Sequence, residues 1–154
     1  MPELDQVTTR KASPHEPGAT ALLQASHAYL QSLYPPEDNY FLSIDALCEP
    51  HITFIVAEQN GQTIGCAALA DKETYGEVKS MFTTPAARGT GTGAALMQAL
   101  ETEARAQHLP IMKLETGDDL YPAHRLYERH GFSKCGPFGD YVEAVHSVFM
   151  EKRL

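Results

Sequence analysis

The chain has 154 residues, 43% of them hydrophobic and 21% charged, and a formal net charge of −8. That length suits a single domain spanning 1–154 with its own core and leaves no room for two ordinary ones. No apolar run approaches the ~20 residues of a membrane span, no basic-then-apolar leader opens the chain, and the Lys and Arg are too scattered to make the basic face that nucleic acid requires. Cys48, Cys66 and Cys135 are odd in number and lack paired spacing. They fit a reducing, cytoplasmic setting and read as small buried hydrophobes rather than nucleophiles.

In chain order, residues 3–9 offer a meagre first strand on Leu4 and Val7. Ser13 to Gly18 is rich in turn formers. Ala19 to Leu33 has the stripe of an amphipathic helix (Leu22, Leu23, Tyr29, Leu30, Leu33), and Tyr34-Pro35-Pro36 ends it. Phe41 to Leu47 reads as a short second helix. His51 to Glu58 and Gln62 to Ala70 are strands joined by Asn60-Gly61, a strong hairpin signal. Glu77 to Thr83 is the next strand and completes an antiparallel meander, with Pro85 stopping it.

Arg88-Gly89-Thr90-Gly91-Thr92-Gly93 then turns the chain into a helix marked by Leu96, Met97, Leu100 and Ala104. A helix start carries about four unpaired N–H groups and partial positive charge. Glycines let an anion approach the backbone closely, and Arg88 adds a permanent cation. The sum is an anion cradle. Ala94-Ala95 stands where a P-loop needs Lys-Ser/Thr, and Thr84 to Arg88 separate the strand from the first glycine, unlike a dinucleotide turn. A plain glycine-rich connector is the alternative.

Beyond the helix, Ile111 to Glu115 is a strand that must run parallel to the Glu77 strand, because a helical crossover separates them. Thr116 to Leu120 is a loop, and Pro122 to His130 a short helix ended by Gly131. Phe132 to Gly136 opens a last hairpin. Pro137 to Tyr141 is its loop, and Val145 to Lys152 the final strand. The seven histidines show no ligand spacing, so no metal is expected. Neither a Gly-x-Ser-x-Gly elbow nor a reactive-cysteine context is present, which disfavours a hydrolase.

The stretch Met81 to Gly93, with Arg88, Gly91 and Gly93 matching Arg/Gln-x-x-Gly-x-Gly/Ala, resembles the acetyl-coenzyme A loop of the GNAT N-acetyltransferase superfamily. Leu126-Tyr127-Glu128-Arg129-His130-Gly131-Phe132 is similar to that family's Leu-Tyr-Glu-x-x-Gly-Phe. The resemblance runs from about Ile52 to Leu154. It implies an α+β fold: a mixed, mostly antiparallel sheet of six to seven strands flanked by about four helices. It implies acetyl-coenzyme A as cosubstrate, held by Met81, Phe82, Thr83, Arg88, Gly89, Thr90, Gly91, Thr92, Gly93, Ala94 and Tyr127, with the pantetheine arm on the backbone of Phe82 and Thr83. Leu120 departs from the pattern, since many relatives have a cofactor-contacting asparagine there. The region between the first two strands would cover the acceptor, which brings in Tyr34, Tyr40 and Phe41. For these three, simple core packing is the competing reading. Tyr141, in the last hairpin loop, is a further acceptor candidate. Dimers are common in the family, and a final strand such as Ser147 to Glu151 would be available to pair across an interface.

Acetyl transfer to an amine needs a base for the ammonium proton, a donor for the oxyanion and a proton for the departing thiolate. Freeing an alkylamine of pKa near 10.4 at pH 7 costs about 4–5 kcal/mol, so a base is worth having. By the resemblance, Tyr127 is the candidate acid and Glu77 the candidate base, with Glu115 as its competitor. Either glutamate has an alternative role as partner of Lys79, Lys113 or Arg125. The expected activity is transfer of acetyl from acetyl-coenzyme A to the amine of a small molecule. The alternatives are an acyl-coenzyme A sensor without turnover, or acetylation of protein amines.

Overall fold

The computed structural model describes residues 6–154. It is built on one seven-stranded sheet in the order β1-β2-β3-β4-β5-β7-β6. The strands are β1 (Thr8–Lys11), β2 (Ile52–Gln59), β3 (Gln62–Asp71), β4 (Gly76–Thr83), β5 (Ile111–Gly117), β6 (Ser133–Cys135) and β7 (Ser147–Arg153). The helices are α1 (Pro17–Leu33), α2 (Thr92–Ala106) and α3 (Tyr121–Arg129). All neighbouring pairs are antiparallel except β4–β5, which is parallel as the helical crossover requires.

The sequence forces most of this. Asn60 and Gly61 take φ of 53° and 76°, the left-handed pair that a two-residue hairpin turn needs. Alternation along β4 and β5 sends Val78, Met112 and Leu114 to one face, where they pack with Leu96, Met97 and Leu100 of α2. The other face buries Phe54, Val56, Cys66 and Ala68 under Leu22 and Leu23 of α1. Glu77, Lys79, Lys113 and Glu115 therefore stand on the α1 face at the sheet's centre.

Several expectations shift. The first strand lies at Thr8–Lys11 rather than 3–9; residues 3–5 of that range lie outside the described ones. Phe41 to Leu47 forms no α-helix. A 3₁₀ turn at Ala46–Cys48 overlaps its end and another at Pro36–Asp38 precedes it, and Leu47 alone in them is buried. The α-helices among the described residues thus number three rather than about four. The last strand starts at Ser147, because Val145 is 86% exposed with no core to join. It also lies between β5 and β6. Its backbone is paired on both sides along Phe149 to Glu151, so β1 and β6, not β7, are the sheet's edges. Of the cysteines only Cys66 is buried, whereas Cys48 is exposed and Cys135 half-buried; burial pushes the Cys66 thiol up to about 12.

Candidate active site

The central feature is a gap in the sheet. β4 and β5 pair only at Gly76–Met112 and Glu77–Lys113. Beyond those two pairs β4 runs on to Thr83 and β5 to Gly117 without a partner across the opening. A bulge bends β4 at the same level. Between Phe82, opposite Cys66, and Lys79, opposite Ala68, β4 carries an extra residue. Ser80 takes φ of 56° there, a conformation that costs a serine about 1 kcal/mol. Its Oγ is buried without a partner.

At the mouth of the gap the glycine turn leads into α2. Gly91, φ 90°, is the N-cap of α2, and no side chain caps the helix or places acid in its first turn. Only the Ala95 N–H is tied back, to the Gly91 carbonyl at 3.0 Å. A Cβ added to Gly89 or Gly91 would meet nothing within 4 Å, so open space faces the free N–H groups. Thr90 Oγ1 lies 2.9 Å from Thr92 Oγ1, which fixes the turn from within. Gly93 is tight instead: a Cβ there would sit 3.0 Å from Leu126 of α3.

A cavity of about 670 Å³ runs from this cradle through the gap to the α1 face. Arg88, Gly89, Gly91, Gly93 and Ala94 line one end, with Met81, Phe82 and Thr83 along the wall. Thr92 is buried behind the turn and Thr90 also stays out of the lining. Arg129 and His130, at the end of α3, face the same cavity and were not singled out from the sequence. Leu120 lies in the lining too, at the cap of α3.

Tyr127 reaches the cavity from α3 and is only 5% exposed. No group among the described residues hydrogen-bonds its hydroxyl. Burial, and then the charge of Glu115, push it well above the usual phenol range. The hydroxyl therefore keeps its proton at neutral pH.

The two glutamates separate here. Glu115 lines the cavity. It accepts a hydrogen bond from Ser147 Oγ at 2.9 Å, and burial raises its carboxyl above the usual value, opposed by that bond and by Lys79. Glu77, 5% exposed, stands outside the lining. It accepts the Tyr141 hydroxyl at 2.6 Å and lies 3.4 Å from Lys79 Nζ. Lys79 also donates to the Tyr40 carbonyl at 3.0 Å and to Tyr141 Oη at 2.9 Å. Glu77 and Tyr141 thus form a buried brace with Lys79, and Tyr141 too stays out of the lining. Lys113 and Arg125 partner neither glutamate. Lys113 pairs with Glu151 and sits over Tyr75 and Phe138.

Tyr34, Tyr40 and Phe41 all line the cavity at its α1 end. Tyr34 is also buried, so packing and lining are one role for it. Its Oη accepts the Asp119 N–H at 3.3 Å and its ring tilts over His146 at 5.5 Å. His146, which the sequence reading passed over, holds Asp118 at 3.3 Å.

A cavity that threads a split sheet, with an uncapped glycine-rich helix start at one end and a buried tyrosine and a glutamate in the middle, suits group transfer from a long anionic donor. The comparisons with known proteins agree. The model of the acetyltransferase (GNAT) family matches residues 19–132. An IAA acetyltransferase of Azospirillum brasilense is 43% identical over 98% of this chain and 100% of its own. A solved Klebsiella pneumoniae structure of acyl-CoA N-acyltransferase type is 30% identical, with a TM-score of 0.81 over 97% of this chain and 98% of its own. A GNAT acetyltransferase of Elizabethkingia anophelis, solved with acetyl-CoA bound, shares the fold at 16% identity and a TM-score of 0.70, over 97% and 99% of the two chains. This chain belongs to the GNAT acetyltransferase family and is an acetyltransferase.

Proposed function

We propose that this enzyme moves the acetyl group of acetyl-coenzyme A onto the primary amine of a small molecule by direct attack. The observation that carries the reading is the continuous cavity. It joins the uncapped start of α2 to Tyr127 and Glu115 through the gap between β4 and β5.

The residues present fit the donor. Free N–H groups of α2, open space over Gly89 and Gly91, and Arg88 suit a pyrophosphate. Unpaired β4 backbone and the orphan Ser80 hydroxyl suit an amide-bearing arm. Acetyl-coenzyme A supplies an acetyl thioester. Glu115 takes one proton from the ammonium, directly or through water, and the free amine then bonds to the acetyl carbon. As the carbon–sulfur bond of that adduct breaks, Tyr127 gives its proton to the sulfur, and the second proton on nitrogen returns to the Tyr127 oxygen, directly or through water. Glu115 is preferred over Glu77 because it faces the cavity, whereas Glu77 is spent on Tyr141 and Lys79. A sensor without turnover has no use for either Tyr127 or Glu115, and the relative named for IAA suits a small acceptor.

Thermal unfolding with and without acetyl-coenzyme A, beside an amine screen read by thiol release, tests the proposal. Saturation at ~100 times the dissociation constant should add about 2.7 kcal/mol. No thermal shift, or a shift without amine-dependent thiol release, would overturn it.

A further inference from the structure

We infer that the acceptor is a cationic arylalkylamine carrying no carboxylate, a reading that rests on the acetyl transfer proposed above.

The charges of the cavity are sorted by end. Arg88 and Arg129 lie toward the glycine turn, where Leu126 of α3 packs on Gly93; His130 beside them is held neutral by burial and then by Lys152, which lower its pKa. Asp38, Glu115 and Asp119 line the opposite half. None of these three carboxylates makes an ion pair among the described residues. Asp38 stands close enough to Glu115 to raise its carboxyl, although Lys79 works against it.

The lysine and the histidine of that half are already engaged. An ammonium has three N–H groups, and those of Lys79 meet the Tyr40 carbonyl at 3.0 Å, Tyr141 Oη at 2.9 Å and Glu77 at 3.4 Å. The charge of Lys79 is matched by Glu77 in the same cluster. His146 has its Nδ1 3.3 Å from both oxygens of Asp118. An acceptor carboxylate would therefore meet uncompensated negative charge and no free cation, whereas an ammonium would meet the charge it lacks. Glu115, half-buried with only a serine hydroxyl as partner, is the natural seat for it.

The rest of the wall is aromatic. Rings of Tyr29, Tyr34, Tyr40 and Phe41 line this half, with Phe41 held by stacking on His27 at 4.1 Å and Tyr40 by an edge contact to Tyr141 at 5.4 Å. Fixed rings favour an aryl body through offset or edge contacts, and their faces attract a cation. Amino acids, with an ammonium and a carboxylate on one carbon, satisfy the first demand and violate the second.

The test is equilibrium binding by calorimetry to protein saturated with coenzyme A. The probes are phenylethylamine, phenylalanine, phenylacetate and butylamine. Phenylethylamine should bind at least about tenfold tighter than phenylalanine or phenylacetate, and tighter than butylamine. Asp38→Asn, a change outside the reacting groups, should shrink the preference for amine over amino acid several-fold while coenzyme A affinity holds. Equal or tighter binding of phenylalanine or phenylacetate, no gain over butylamine, an unchanged preference in Asp38→Asn, or no binding of any probe would each overturn the inference. Thiol release separates the two readings. Tight amine binding without acetylation sustains the cavity's preference for an arylalkylammonium and sinks the transfer. Preferred acetylation of phenylalanine sustains the transfer and sinks the acceptor class.

Discussion

Gly117→Ala would test how the acceptor end is built. Gly117 ends β5, and its missing side chain is the seat of Tyr34. A Cβ there would lie 2.1 Å from Tyr34 Oη, 2.6 Å from Cζ and 2.9 Å from Cε2. Ordinary contact begins near 3.4 Å, so the ring would have to retreat by at least 3.4 − 2.1 = 1.3 Å. Tyr34 is 5% exposed and pinned through the Asp119 N–H and His146. Forcing a side chain from a packed seat costs about 1–3 kcal/mol, and losing the Asp119 bond adds about 0.5–1.5 kcal/mol. A net loss of about 2 kcal/mol lowers Tm by about 4–8 °C in a chain of this size. The acceptor KM should rise, while that for acetyl-coenzyme A, bound at the other end, should hold. In a Tyr34→Leu background the penalty should largely vanish, a coupling of about 1 kcal/mol or more in a double-mutant cycle. Unchanged Tm and unchanged acceptor KM in Gly117→Ala would refute the reasoning.

Tyr127→Phe should lower kcat by an order of magnitude or more, with Tm unchanged because the lost hydroxyl has no partner among the described residues; near-normal turnover would remove the acid role. Glu115→Gln should abolish the acidic limb of the pH–rate profile. It should also stabilise the fold at pH 8. Burial raises this carboxyl above its ordinary 4.5, so its contribution is full below that value and lost as pH rises through the raised one. The gain in Tm from Gln should therefore fade to nothing near pH 4; a gain that is flat with pH would contradict the assignment. Glu77→Gln should keep the acidic limb and lose stability, since it leaves Lys79 buried without its counter-charge. Loss of the limb in that variant would return the base role to Glu77.

Much of this was legible because it depends on local rules. The hairpin at Asn60-Gly61, the parallel crossover into Ile111 to Glu115 and the glycine turn before α2 each follow from neighbours in sequence. The cradle residues and Tyr127 followed from two motifs in the right order. What escaped was set by tertiary contacts. The Phe41 to Leu47 stretch has helical spacing, but only Leu47 is fully buried, while Leu42 and Ile44 pack on the same cluster half-buried, and a single 3₁₀ turn holds its end. Glu77 and Glu115 occupy the same face of adjacent strands and no pattern separates them. The difference lies in Tyr141, 64 residues beyond Glu77, which closes over one and leaves the other open. The pairing of His146 with Asp118 likewise spans 28 residues, with α3 and β6 between them, and gives no sequence signal.

The two-pair seam between β4 and β5 has a mechanical consequence. Every other neighbouring pair of strands is held by at least three residue pairs. The sheet is therefore two plates, β1 to β4 and β5 with β7 and β6, and its weakest line of ladder pairing lies where the donor is proposed to bind. Twisting one plate against the other is the softest deformation open to the molecule. A donor arm that hydrogen-bonds along the seam would act as a suture, so its stiffening would spread outward across both plates rather than stay at the site.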